Sequence, residues 1–86
     1  MSLQVIWSGT GRASLRKLDP PVAREVSTAV VRFAEEGAGD VAHLRPPETG
    51  YRLRVRDWRV FMEIDHEAGT LAVIRIEHQS KAYKRR

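Results

Sequence analysis

Cysteine is absent from this chain of 86 residues. That excludes a disulfide-stapled scaffold and thiol chemistry, and it suits a reducing compartment. Long apolar runs are missing too: none approaches the ~20 residues that span a bilayer, so no membrane partner is expected. The first seven residues carry neither a charged leader nor an apolar h-region, so the expected location is the cytoplasm. There is no internal repeat, low-complexity tract or linker, and the length leaves room for one core, so a single domain over 1–86 is expected. His43, His66 and His78 show no ligand spacing, which argues against a metal site; no cofactor is expected. A chain this short buries only about 60–65% of its unfolded surface, so each large apolar residue matters.

Acidic charge is scarce in one half of the chain only. The formal net charge is +4. Residues 1–44 carry five Lys/Arg (12, 16, 17, 24, 32) against five Asp/Glu (19, 25, 35, 36, 40), and these cancel. Residues 45–86 carry ten basic and six acidic residues, so the whole excess lies there, clustered at Arg52–Arg59 and Lys81–Arg86. A basic patch on one face suits nucleic acid or an acidic protein partner, and a solvated surface with a basic tail is the plainer alternative.

The densest information lies in Gly50–Asp65, which reads Gly-Tyr-Arg-Leu-Arg-Val-Arg-Asp-Trp-Arg-Val-Phe-Met-Glu-Ile-Asp. Strict alternation predicts a strand with Tyr51, Leu53 and Val55 on one face and Arg52, Arg54 and Arg56 on the other. Asp57 allows a tight reversal. Trp58–Asp65 reads as the partner strand, with Val60, Met62 and Ile64 facing one way and Arg59 and Phe61 the other. Pairing would bring Arg59 beside the arginine row and create a rigid polyanion site.

Around this hairpin the periodicities predict a β-α-α-β-β-β order. Gln4–Trp7 is a short first strand; Ser8-Gly9-Thr10-Gly11 offers a helix N-cap before a short amphipathic helix over 12–18. Asp19-Pro20-Pro21 stops that helix and caps the next. Val22, Val26, Ala29, Val30 and Phe33 recur at helical spacing until Gly37. Residues 37–49 read as a loop. Thr70–Glu77 reads as an interior strand, with Ala72, Ile74 and Ile76 on one face and Leu71, Val73 and Arg75 on the other. The expected class is α+β: a helical hairpin on one face of a small, mostly antiparallel twisted sheet.

In order and spacing these pieces resemble the RelE/ParE superfamily of bacterial toxins from type II toxin–antitoxin pairs. The likeness rests on the opening strand ending in Trp7-Ser8, on Arg12-x-x-Leu15-x-Lys17-Leu18, and on the proline-started second helix. It continues through Asp40-Val41-x-x-Leu44, the arginine hairpin, and Val73-Ile-Arg-Ile-Glu-His-Gln-Ser-Lys-Ala-Tyr83. The resemblance implies a RelE/ParE-like fold and a cognate antitoxin whose acidic C-terminal segment covers the basic face, with operator DNA reached only through the antitoxin. It implies one of two activities. RelE-like members are ribosome-dependent mRNA interferases, metal-independent endoribonucleases; ParE-like members inhibit DNA gyrase without a nuclease site. A weakened toxin acting through antitoxin binding is a third outcome.

For the interferase, the resemblance implies catalytic roles for Arg54, Arg59 and Tyr83, and residue chemistry adds His78 as a candidate catalytic base or acid. RNA or phosphate contacts fall to Arg52, Arg56, Gln79, Lys81, Lys84 and Arg85. A guanidinium matches two phosphate oxygens and stays charged, which suits Arg59 as a phosphate clamp supported by Arg54. Arg52 stands where some relatives use lysine as a base; arginine does not readily deprotonate, so its role would be electrostatic. Proton carriers are then sought among His78, Tyr83, Glu63 and Asp65. Family members often read His-Arg near the end, and here the sequence is His78-Gln79, which removes a charge from the expected site. Trp58 and Phe61 are candidates for base stacking, with core packing the stronger expectation for Trp58.

Overall fold

The structure, a computed structural model, describes residues 2–80. Its elements run β1 (Gln4–Trp7), α1 (Gly9–Arg16), α2 (Pro20–Glu36), β2 (Asp40–His43), β3 (Tyr51–Val55), β4 (Trp58–Asp65) and β5 (Thr70–His78). The five strands form one sheet in the order β1-β5-β4-β3-β2, with β1 and β5 parallel and the other neighbours antiparallel. The α+β class and the helical hairpin on a mostly antiparallel sheet are as expected. No helix among the described residues is long and apolar enough to cross a membrane.

α1 begins earlier than its apolar spacing suggests, because Ser8 caps it: the Gly11 N–H donates to Ser8 Oγ at 2.9 Å. Gly11 itself lies against β5, where an added Cβ would collide with the Val73 carbonyl oxygen. This helix therefore touches the sheet backbone to backbone. α2 starts on Pro20, whose missing N–H costs nothing in a first turn, and ends on Gly37 in the left-handed conformation at φ 71°. Asp19 holds the N-cap position without a side-chain cap bond, so its carboxylate does less than expected.

One stripe of α2, Val26, Val30, Phe33 and Ala34, is buried against Leu53, Val55, Val60, Met62, Leu71, Val73 and Ile76 from the sheet. Truncating a fully covered side chain of this cluster, such as Leu53, should cost about 2–5 kcal/mol. The helices cover one face of the sheet only. The other face is left to the second set of alternating residues.

Two expectations are corrected. Residues 37–49 are not all loop: Asp40–His43 pairs with β3 as the edge strand, Asp40 opposite Arg54 and Ala42 opposite Arg52. In β5 the two-residue alternation breaks. Phe61 pairs with Arg75 but Met62 pairs with Val73, so Ile74 is an extra residue in a β-bulge. Leu71, Val73 and Ile76 therefore face the core, whereas Arg75 shares the open face with Phe61. The bulged carbonyl is held by α1, with Thr10 Oγ1 donating to Ile74 O at 2.7 Å and Ser8 Oγ at 3.4 Å.

Candidate functional site

The β3–β4 hairpin sets the geometry. Arg54 pairs with Arg59 and Arg52 with Phe61, so these four side chains leave the sheet on the face opposite the helices. Arg52, Arg54 and Arg59, together with Asp40 and Ala42 from β2, line a concavity of about 140 Å³. Asp40 is the residue that sequence reasoning missed. Its carboxylate stands 4.0 Å from Arg54 Nη1, brought there only by the unforeseen edge strand.

Arg59 differs from its neighbours in being buried, at 5% exposure. Its Nη1 donates to the carbonyls of Arg56 and Trp58, each at 3.0 Å, and its Nη2 donates to Gln79 Oε1 at 3.2 Å. The acceptors are neutral oxygens, and they fix the plane of the guanidinium without cancelling its charge. Gln79 is in turn tied to the hairpin, its N–H donating to Asp57 O at 2.7 Å. A cation oriented in this way before any ligand arrives is suited to holding an oxyanion.

Arg56 does not continue the row. The pairing of Val55 with Trp58 makes Arg56 and Asp57 the two turn residues, and Arg56 adopts a left-handed backbone at φ 55°. Its side chain crosses to the helix side and pairs with Glu25 of α2. The hydrogen bond from Arg56 to Glu25 first, and their charge attraction second, raise the Arg56 pKa further above its ordinary value. The expected row of three guanidinium groups on β3 is therefore two.

His78 is likewise displaced from the arginines. It pairs with Trp58 on β4, and the two rings meet edge to face with centroids 5.1 Å apart, while Glu77 pairs with Arg59. Side chains alternate, so His78 lies on the helix-bearing face and Arg59 on the open one. Its Nδ1 is 3.1 Å from Ser80 Oγ. Among the other carriers considered, Asp65 is spent on a turn, accepting from the Ala68 N–H at 3.0 Å, and Glu63 is exposed on the open face beyond Phe61. Tyr83, Lys81, Lys84 and Arg85 lie outside the described residues.

Beyond Arg52 the open face changes character. Arg75 lies over the Phe61 ring, its Cζ 3.9 Å from the centroid, and its Nε donates to Glu77 Oε2 at 2.8 Å. Nothing in the sequence pattern signals this contact, because the bulge at Ile74 decides which way Arg75 points.

Comparison with known proteins agrees with this architecture. Residues 5–83 match the family described as ParE toxin of type II toxin-antitoxin system, parDE. The chain belongs to this toxin family. No curated protein gives a significant match. Among solved structures, the RelBE2 toxin–antitoxin complex from Mycobacterium tuberculosis contains a chain with 25% identity and a TM-score of 0.82, covering 91% of this chain and 92% of that one. The RelE toxin of E. coli, in a mutant form in the free state, gives 19% identity and a TM-score of 0.77 over 98% and 90% of the two chains. YoeB from Staphylococcus aureus gives 15% and 0.69, over 91% and 98%. The ParE-family chain is thus a RelE/ParE superfamily toxin by sequence and by fold, as its motifs imply.

Proposed function

We propose that this toxin is a ribosome-dependent mRNA interferase that cuts RNA without a metal ion and so inhibits translation. The observation that carries the reading is the grouping of Arg52, Arg54 and preorganised Arg59 around one open concavity. In this reading Arg59 clamps the scissile phosphate and Arg54 supports it, while Arg52 steers the backbone. The 2′-hydroxyl attacks the adjacent phosphorus, its proton passes to the Asp40 carboxylate, and the bond to the 5′-oxygen breaks. The products are a 2′,3′-cyclic phosphate and a free 5′-hydroxyl. Tyr83 remains the candidate for protonating the departing oxygen or stacking on a base, and Lys81, Lys84 and Arg85 for contacts to phosphate. A charge donor of the Arg59 kind is worth roughly 10²–10³ in rate.

A second reading is inhibition of DNA gyrase without nuclease activity. It is favoured by the match to the ParE family and by the turning of His78 away from the arginines. Expression in cells, followed by mapping of mRNA 5′ ends, separates the two. Cuts inside translated codons support the interferase, and an SOS response with intact mRNA supports gyrase inhibition.

The proposed partner in either case is a cognate antitoxin, since the similar Mycobacterium tuberculosis chain belongs to a toxin–antitoxin complex, and the proposal gives that antitoxin an acidic C-terminal segment that covers the basic face. The proposed compartment is the cytoplasm. Added salt should weaken the toxin–antitoxin pair, because exposed charges are screened within about 10 Å at 0.1 M.

A further inference from the structure

A second concavity opens on the same face, next to the arginine site. It has a volume of about 230 Å³ and lies between the turn after β2 and the strands β4 and β5, lined among others by Glu48, Thr49, Phe61, Glu63 and Arg75. Drug-sized ligands take roughly 300 Å³ or more, so this space suits something smaller. Phe61 is the cross-strand partner of Arg52, so the two concavities are neighbours along one sheet surface.

We infer that this concavity is a base pocket, in which the Arg75 guanidinium is the stacking surface and the Glu48 and Glu63 carboxylates read an amino group. The inference rests on the interferase reading, since it takes the occupant to be an unpaired base of the RNA whose phosphate sits on Arg59. Three features support it. The Phe61 ring is 7% exposed and is covered by Arg75, so a base would stack on the guanidinium, which is sandwiched between ring and base. The Arg75 plane is fixed by the bond from its Nε to Glu77, and its direction is set by the bulge at Ile74. Ionised carboxylates only accept hydrogen bonds, so the pocket favours a base edge that donates. Cytosine offers its N4 amino group where uracil carries an oxygen, and a carboxylate accepts from the first and repels the second.

The test is a titration of the full-length chain, followed by backbone amide shifts, with cytidine monophosphate, uridine monophosphate and inorganic phosphate. Phosphate alone should move amides around Arg52, Arg54 and Arg59. Cytidine monophosphate should add shifts at Thr49, Phe61 and Glu63, and bind roughly tenfold more tightly than uridine monophosphate. In the double variant Glu48→Gln/Glu63→Gln the amides donate as well as accept, so the preference should fall to near one with phosphate binding unchanged. Arg75→Lys keeps the charge but loses the planar surface, and should weaken both nucleotides alike. Equal binding of the two nucleotides, or cytidine shifts confined to the arginines, would overturn the base pocket and leave the phosphate site standing. Phosphate that fails to move the arginine amides would remove the interferase reading and this pocket with it, and that failure is read on different residues.

Discussion

Arg59 Nη2 donates to Gln79 Oε1 across 3.2 Å, joining the buried cation of β4 to the residue just past the end of β5. The glutamine stands where the family resemblance implies an arginine. Here it acts as an acceptor that aims a guanidinium, a role a second arginine could not fill, because arginine has donors only. Gln79→Ala should therefore lower mRNA cutting about tenfold under the interferase reading, through misorientation of Arg59. Loss of this one hydrogen bond to a buried charged group should cost about 1.5–3 kcal/mol of stability. Gln79→Glu keeps an acceptor but sets a carboxylate against Arg59, which cancels the cation, so it should cut no faster than Gln79→Ala. A rate measured on ribosome-bound message, beside a urea unfolding curve, separates orientation from stability; wild-type cutting by Gln79→Ala would remove Gln79 from the site.

The position of His78 makes a different demand. Its ring packs edge-on against Trp58, on the far side of the sheet from Arg59. His78→Ala should leave the cutting rate on ribosome-bound message within about twofold of wild type. A loss of about tenfold or more in a variant that unfolds at the wild-type urea midpoint would return His78 to the mechanism.

These two residues also mark how far the sequence can be followed. Alternation in Tyr51–Val55 locates Arg52 and Arg54 on the open face, because that strand is regular and its apolar side is buried. The helical spacing of Val26, Val30 and Phe33 gives α2 for the same reason. Arg56 escapes the alternation because antiparallel pairing of Val55 with Trp58 needs two residues in the reversal, not Asp57 alone. Asp40–His43 has only four residues beside a Gly- and Pro-rich stretch, and it is a strand only because β3 offers it an edge. Alternation puts Arg75 on the wrong face because a bulge shifts every later residue by one, and no local signal marks the bulge.

Gly11 and Gly9 give a test of the close approach of α1. In a helix, alanine is normally preferred to glycine by about 1 kcal/mol. A methyl group added at Gly9 would meet nothing within 4 Å, so Gly9→Ala should be neutral or raise stability by up to about 1 kcal/mol. At Gly11 the methyl would strike the Val73 carbonyl oxygen, which is backbone and yields little. Gly11→Ala should therefore destabilise by about 1–3 kcal/mol in urea unfolding, reversing the usual sign. Equal effects at the two positions would show that α1 can lift from β5 at little cost.

Arg56 supplies a prediction that depends on backbone rather than charge. At φ 55° it occupies a region that glycine enters freely and arginine does not. Its ion pair with Glu25 is exposed to solvent and so adds little. Arg56→Gly should raise the unfolding midpoint, because relief at φ 55° outweighs the exposed pair, and Arg56→Ala should not raise it. Neither should alter phosphate binding at Arg52, Arg54 and Arg59, since Arg56 points to the helix side. A midpoint lowered by Arg56→Gly would mean that the pair with Glu25 is worth more than the strain.

The bulge at Ile74 is held from outside the sheet, and that makes it testable through α1. Thr10 Oγ1 donates to the Ile74 carbonyl at 2.7 Å, and Ser8 Oγ, which also caps the helix, is the weaker second donor at 3.4 Å. A bulged carbonyl leaves the sheet ladder, so these hydroxyls take the place of a strand partner. Thr10→Val keeps the shape and removes the donor. It should cost about 0.5–1.5 kcal/mol in urea unfolding and speed amide exchange at Ile74 and Arg75 more than at the core positions Val60 and Leu71. Thr10→Ser restores the hydroxyl and should restore slow exchange. Uniform acceleration along the whole sheet in Thr10→Val would mean that the hydroxyl contributes to global stability without holding the bulge that aims Arg75.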